Sequence, residues 1–550
     1  MNARRAAEAG AWILVAAAVA RLLWAPLGDP DLFWHLASGR WMWEHMRYMG
    51  PDVLTHTHAG VPYINSEALS QIVLYLAERA GGLEGVRILW IALSLLSLGL
   101  VLGSARAAGA RGGALFALAA AALWLLGPRL KPRPEVFSWV FFGAVSFAVE
   151  AARRGNPVWE KRLPWIVGGV FLLWVNTHLG FVYGLLYLAA ALVGARAAGD
   201  RPSFIARLDR SFTAALVCFP LSPAGFGLLR VLLEFGFDVH HGVPIGEARP
   251  TTIGDAPLFW AALLLAGAAL ARGILRRDPE DRRWVLAVIG FGAIGAGIVR
   301  SSVLIVFPLM PYLGGKIAAW ERRNPGASRL AGRIAGVLSV GGLVAFAAFR
   351  SPPNGLLSRH LPVGACRFVK EAGIEGTMYN SYGWGGFIEW ALPGRKVFQD
   401  GRYLSVPFLW EEADLSLHWP DSDRRGLWAA YLGRYGVDYG IADDLPAPAP
   451  ESLHPPLMSE RLFSEDRWAL VYWDDLSWVF VKRIPKFEPL IRAREYRALR
   501  PARQELLFAG TLPAPPAAIR AELERHAREV PFSRKGAFLE DALRVRSGRS

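Results

Sequence analysis

Asp29, Asp31 and His35 open the stretch GDPDLFWHLASGRW at residues 28–41, directly after an apolar run of near membrane-spanning length. Carboxylates beside an imidazole can take a proton or hold a cation, and charge at such a boundary is costly without a task. Asp29 followed by Pro30 also fits a plain N-cap with proline at the first helical position, so capping and chemistry both stay open for it. A tryptophan-rich helix over Leu32–Met46, able to lie along a membrane surface, is expected to follow; on it Asp31 and His35 stand four apart on one face. His35 can belong to a site or simply hydrogen-bond the carboxylate or the backbone.

The same sparse mixture recurs further along the chain: Glu67; Lys131, Arg133 and Glu135 in RLKPRPEVF; Asn176 and His178 in WVNTHLGF; His240, His241, Glu247 and Arg249 in VHHGVPIGEARP; and Arg300 inside a long apolar stretch. Prolines at 128, 132 and 134 make the first basic segment an irregular turn. Lys131 and Arg133 there can hold a phosphate through charge-assisted hydrogen bonds, or can meet lipid headgroups.

The elements that must position these residues follow from composition. Of 550 residues, 53% are hydrophobic yet 20% are charged, which predicts a membrane-embedded part joined to a soluble part. Many of the 22 tryptophans stand where apolar runs meet polar ones, as indoles at headgroup level do. Apolar stretches fall near 11–27, 86–104, 113–127, 136–152, 165–176, 179–195, 211–222, 257–271, 284–299, 302–320 and 333–349. About eleven spans are therefore expected, the first a retained signal-anchor helix. With the N-terminus inside, the loops carrying Arg106 and Arg111, Arg153 to Arg162, Arg196 to Arg210, Arg272 to Arg283 and Arg322 to Arg333 all fall on the cytoplasmic side. That rule accounts for the net charge of +14 without nucleic acid. It also places the mixed acids, bases and imidazoles, and everything after 350, outside. Cys218 and Cys366 alone give no disulfide framework.

Three domains are expected: a membrane domain over 1–350 with a first outer loop at about 28–68, an extracytoplasmic α/β domain over 351–483, and a basic helical tail over 484–550. In the second, VGACRFVKEAG, FLWEEADLSLHW and RGLWAAYLGRYG predict helices. GTMYN, FIEWAL, RKVFQDGRY, VDYGIAD, WALVYWDD and SWVFVKR predict strands. YNSYGWGGFIEW offers Tyr382 and Trp384 either as flat faces for a sugar ring or as core aromatics on a Gly-rich connection. Asp400 and Arg402 in FQDGRY are a further candidate pair, or an internal salt bridge. No phosphate-binding glycine loop, zinc pattern or nucleophile elbow is present in the sequence.

DPDLFWHLASG, KPRPEVFSW, WVNTHLGF, GEARP, YNSYGWGGFIEW and KVFQDGRY together resemble a bacterial family of multi-span glycosyltransferase-like proteins, over most of residues 10–483. More distantly the chain is similar to the GT-C class: protein O-mannosyltransferases, lipid A aminoarabinose transferases and oligosaccharyltransferases. The resemblance implies a polytopic α-helical membrane fold with an outer α/β domain. It further implies a polyprenyl-phosphate-linked sugar donor and transfer, with inversion, to a hydroxyl on a glycan, lipid or protein at the outer face of the cytoplasmic membrane. This chain departs from the mannosyltransferase pattern in having Asp29-Pro30-Asp31 in place of adjacent Asp-Glu, and the oligosaccharyltransferase motif WWD is absent.

On that resemblance Asp31 is the expected base, with Asp29 its rival and His35 its orienting partner. Lys131, Arg133, Arg300 and then Arg249 would meet the lipid phosphate, and Asn176, His178, Glu67 and Glu247 would line the cavity. A divalent ion shared by Asp29 and Asp31 is the one cofactor expected to be possible. Two other classes compete: a transporter or flippase of a lipid-linked saccharide, and a non-catalytic envelope scaffold. The polar residues gather on one face instead of at mid-membrane, and the acid beside a phosphate site has no use in a scaffold.

Overall fold

The computed structural model describes residues 3–238, 249–350, 356–357, 359–402, 404, 406–417, 426–443, 462–499, 512 and 514–547. The chain forms two compact units, one of Met1–Leu27, Gly39–Gly50 and Ile64–Leu356, the other of Gly28–Ser38, Pro51–Tyr63 and Leu357–Ser550. These boundaries differ from those read from the sequence, because parts of the expected first outer loop and all of the expected tail count with the second unit.

The first unit is helical. Its elements are α1 (Ala3–Leu23), the end of α2 (Pro30–His45), α3 (Ala68–Ala108), α4 (Gly112–Leu126), α5 (Glu135–Arg153), α6 (Pro157–Trp174), α7 (Phe181–Ala198), α8 (Pro202–Cys218), α9 (Gly227–Asp238), α10 (Pro257–Leu275), α11 (Pro279–Gly297), α12 (Val306–Arg323) and α13 (Pro325–Phe349). Each apolar stretch read from the sequence falls on one of these helices. Among the described residues, 8 helices are long and apolar enough to cross a membrane. The stretches on α6, α8 and α11 fall outside that set: α6 and α11 begin with charge, Glu160, Lys161 and Arg162 on the one and Glu280 to Arg283 on the other, and α8, which carries Arg207, Asp209 and Arg210, has only 17 residues.

At 41 residues α3 would run about 60 Å if straight, twice a bilayer core. Gly81 and Gly82 break it, Gly82 at φ 61, a left-handed value that glycine adopts without a Cβ penalty. The apolar second part is the span. It packs on α5 closely enough that a Cβ on Gly143 would stand 2.9 Å from Leu100 Cβ.

The second unit carries a four-stranded sheet of β1 (Met378–Asn380), β2 (Tyr439–Asp443), β3 (Trp468–Trp473) and β4 (Ser477–Lys482), in the order β1-β2-β4-β3. β1 runs parallel to β2 and the other pairs are antiparallel. Asp474 Oδ1 closes the β3–β4 turn by accepting from Leu476 N–H at 2.9 Å and Ser477 N–H at 2.6 Å, the short-range trick that suits aspartate to turns. Around the sheet lie α14 (Val363–Glu371), α15 (Gly385–Ala391) and the helices Val406–Leu417, Leu427–Arg434, Glu488–Arg494, Pro516–Glu529 and Arg534–Ser547.

Two expectations need correction. FIEWAL is helix, not strand: a short apolar run buried on all sides reads alike in either state, and here Phe387, Ile388 and Glu389 are all buried in α15. KVFQDGRY makes a single parallel bridge, Thr55 to Val397, in place of a strand. Residues after 484 also complete the core. Tyr496, Leu499, Ile519, Leu523, Leu539 and Leu543 are buried in one cluster with Trp473 and Phe480. Glu522 accepts from the N–H groups of Arg497, Ala498 and Leu499.

Candidate functional site

In the second unit α2 begins where the sequence sets it. Asp29 Oδ1 accepts from Asp31 N–H at 3.1 Å, the bond of an N-cap, with Pro30 in the first turn where its missing N–H costs nothing. Asp31 Oδ1 accepts from the indole N–H of Trp34 at 3.3 Å, and the His35 imidazole lies against that indole, centroids 3.6 Å apart. Trp34 was not singled out in the sequence, yet it links the two residues that were. His35 is buried at 3% exposure.

Gly401 meets this helix start. A Cβ there would fall 2.5 Å from Asp31 Oδ1 and 3.3 Å from Trp34 Nε1. One on Gly386 would fall 2.7 Å from the Pro30 carbonyl, and one on Gly385 2.0 Å from the Gln399 carbonyl. The DPDLFWH, YGWGGFIEW and FQDGRY segments are thus brought together, with glycine at each close approach because no side chain fits.

Beside Gly401, Asp400 and Arg402 are buried together. Arg402 Nε donates to Asp400 Oδ2 at 2.8 Å, and its Nη2 stands 2.7 Å from Asp52 Oδ1. Its guanidinium lies over Tyr63, 5.2 Å from the ring centroid. Asp52 is itself fixed by Thr55 Oγ1 at 2.5 Å. Although burial works to raise it, the Arg402 guanidinium holds the Asp400 carboxyl below its ordinary value. Glu389 behaves in the opposite way: burial first, and then the Asp400 charge, push its carboxyl far above the usual carboxylate range. Its oxygens receive no donor among the described residues, so a retained proton, directed to Asp400, is what makes its burial tolerable. Tyr382 is half-buried, whereas Trp384 is buried with its N–H on the His360 carbonyl at 3.1 Å, the setting of a core aromatic and not of an open sugar platform.

The first unit holds the other expected residues. His178 Nδ1 accepts from Gly180 N–H at 2.9 Å and lies 2.8 Å from Ser138 Oγ, which itself accepts from Trp174 Nε1 at 2.7 Å. The ring proton is therefore assigned to Nε2, which faces Glu67 Oε1 at 3.6 Å. In the Pro-rich turn, Arg129 Nη2 pairs with Glu135 at 2.6 Å, and the Trp90 and Trp139 N–H groups hold the Leu130 and Arg129 carbonyls. The charges of Arg129, Arg133 and Arg300 all bear on Glu135, and those of Arg300 and Arg129 on His178. Lys131 lies in the same turn as Arg133, whose N–H returns to the Lys131 carbonyl at 2.8 Å.

Two residues are engaged differently from expectation. Arg249 grips Asp255 with both Nη groups, at 2.8 and 2.7 Å, in an exposed turn, so its guanidinium is committed locally. Asn176 donates to the Leu172 and Leu221 carbonyls, which makes it a tie at the end of α6. Glu247 lies outside the described residues. Asp52, Glu389, Ser138 and Arg129 were missed in the sequence. The usable signal was a lone acid inside the apolar run FIEW.

Compared with known proteins, the chain shares its architecture with membrane glycosyltransferases. The archaeal oligosaccharyltransferase AglB from Archaeoglobus fulgidus, solved with an inhibitory peptide and a dolichol-phosphate, gives a TM-score of 0.54 at 11% identity, over 80% of this chain and 70% of its own. The apo form gives 0.53 at 13% identity, over 79% and 69%. The arabinofuranosyltransferase AftD from Mycobacteria gives 0.51 at 16% identity, over 86% of this chain and 41% of its own. No family model matches the chain, and no curated protein matches it in sequence. The fold is GT-C-like: a multi-span helical membrane protein with a C-terminal α/β domain, as the sequence led us to expect.

Proposed function

We propose that this protein is an inverting glycosyltransferase that moves a sugar from a polyprenyl-phosphate-linked donor to an acceptor hydroxyl on a glycan, lipid or protein. The observation that carries the reading is a carboxylate, Asp31, held by an indole N–H at the start of a helix in a GT-C-like fold. AglB and AftD support it as proteins of the same fold that transfer sugars, the former solved with a dolichol-phosphate.

In this reading the acceptor oxygen bonds to the anomeric carbon as the bond from that carbon to the phosphate oxygen breaks. The hydroxyl proton passes to Asp31, and polyprenyl phosphate leaves with the electron pair. His35, through Trp34, orients the base, and Asp29 caps the helix that presents it. Lys131, Arg133 and Arg300 meet the charge on the leaving phosphate, with Arg129 added to them. Glu67 and His178 line the acceptor or sugar pocket. This reading has the arginine-rich loops and the N-terminus in the cytoplasm and the chemistry at the outer face of the cytoplasmic membrane, supported by the positive-inside pattern of the sequence.

Asp29 and Asp31 supply two carboxylates, and one oxygen of each already accepts a hydrogen bond. The described residues include no group of three acidic, histidine or cysteine side chains able to hold a metal, whereas hard divalent ions take six or more oxygens. We therefore assign no step to an ion. The test is release of free polyprenyl phosphate by the purified protein in lipid, across a panel of polyprenyl-phosphate sugars with and without added acceptors. Turnover of at least one donor is expected. A folded protein that carries an intact lipid-linked saccharide across vesicles without cleaving it would replace this reading with a transporter.

A further inference from the structure

We propose that Gly401, and the buried cluster of Asp52, Glu389, Asp400 and Arg402 that fixes its turn, are positioning residues for the Asp31 carboxylate. The assignment rests on the reading of Asp31 as the base, and none of the five residues is given contact with the reacting atoms.

Gly401 lies between two side chains that leave it no freedom. Arg402 N–H returns to Asp400 Oδ1 at 2.8 Å, and its guanidinium is shared between Asp400 and Asp52. The preceding residues are pinned as well. Asn380 Nδ2 donates to the Gln399 carbonyl at 2.8 Å, and Asn380 Oδ1 accepts from Phe398 N–H at 2.8 Å. The start of α15 closes the arrangement, with Gly385 pressed on Gln399 and Gly386 on Pro30. One rigid wall thus meets Asp31 at Gly401, and the Trp34 indole holds the same carboxylate oxygen. A base held to one rotamer by two neighbours is the arrangement that keeps a reacting atom in line.

Glu389 belongs to this wall because three carboxylates surround one guanidinium in a buried place. Two of them pair with Arg402, and the third is tolerable as a neutral acid donating to Asp400. The cluster is therefore a brace of two carboxylates and a neutral acid around one guanidinium, and its parts come from separate segments at 52, 389 and 400–402.

Gly401→Ala separates position from fold. The new methyl would stand 2.5 Å from Asp31 Oδ1, the far end of a side chain that can swing, so the protein folds but the carboxylate moves by roughly 1 Å. With the full chain in lipid and a donor that wild type turns over, kcat is expected to fall about 100-fold at unchanged KM and unchanged unfolding temperature. Glu389→Ala is expected to lose kcat, and Glu389→Gln to recover most of it, because an amide keeps a donor toward Asp400. Wild-type kcat for Gly401→Ala while Asp31→Asn is inactive overturns the positioning role and leaves the base standing. Full activity of Asp31→Asn overturns the base itself. Should Gly401→Ala fail to fold, the Glu389 pair decides: recovery by Gln at constant KM supports the brace, and equal loss in both overturns it.

Discussion

The acids of the two units are held in contrasting ways. Glu67 and His178, with side chains 18% and 21% exposed, meet across 3.6 Å through a chain of neutral donors that runs from Trp174 through Ser138. Asp400, Asp52 and Arg402, at 0–1%, meet at hydrogen-bond distance with no water to share the charge. Where solvent reaches, an imidazole in the correct tautomer is enough to orient an acid. Where it does not, each charge must find a partner inside the protein, and the further acid, Glu389, keeps its proton.

The contrast is broken most sharply at Arg402. Arg402→Met leaves Asp52 and Asp400 buried without their shared cation and is expected to cost about 3–5 kcal/mol, read by thermal unfolding in detergent. Glu67→Gln, by the same measurement, is expected to cost under about 1 kcal/mol. Similar losses from both would erase the distinction.

A half-buried acid of the second unit sharpens it through pH. Glu412 Oε1 accepts from Tyr431, Tyr379 and Gln399 at 3.0, 3.1 and 3.0 Å, yet burial outweighs these donors and pushes its carboxyl up to about 7. The native state then binds a proton that the unfolded chain, titrating near 4.5, has released. Its contribution to stability is full below about pH 4 and is lost as pH rises through 7, a span on the order of 3 kcal/mol. Glu412→Gln is expected to flatten that part of the stability-against-pH curve, and an unchanged slope would assign the effect elsewhere.

The smallest effect belongs to the neutral chain in the first unit. Ser138→Ala leaves Trp174 Nε1 without its acceptor and His178 Nδ1 with only the Gly180 N–H, at a cost of about 1–2 kcal/mol. Unfolding measurements check this, and a loss above that range would mean that Ser138 carries more than a hydrogen bond.

What the sequence made legible follows the same division. Short-range signals were readable: the Asp29 cap and Pro30, the apolar stretches that became helices, and the strands WALVYWDD and SWVFVKR. The GT-C-like architecture was readable from motifs and span number together. Partners distant in sequence were not. Nothing in PDVLTHT pairs Asp52 with an arginine 350 residues later, and FIEW reads as well for a strand as for the helix that turns Glu389 inward. The glycines of YGWGG and QDGR suggested turns, and their purpose, the close approach to Pro30 and Asp31, is visible only in three dimensions. For Arg249 and Asn176 residue type showed their capacity, and the local partners they hold, Asp255 and the Leu172 and Leu221 carbonyls, were not legible.

If Asp31 is the base of a sugar transfer from a polyprenyl-phosphate donor, wild type and Asp31→Asn must differ in their release of free polyprenyl phosphate in lipid. Release by wild type and a loss of about 100-fold or more in the variant, with folding intact, are expected. Equal release by both, or none from any donor by a folded wild type, would contradict that role.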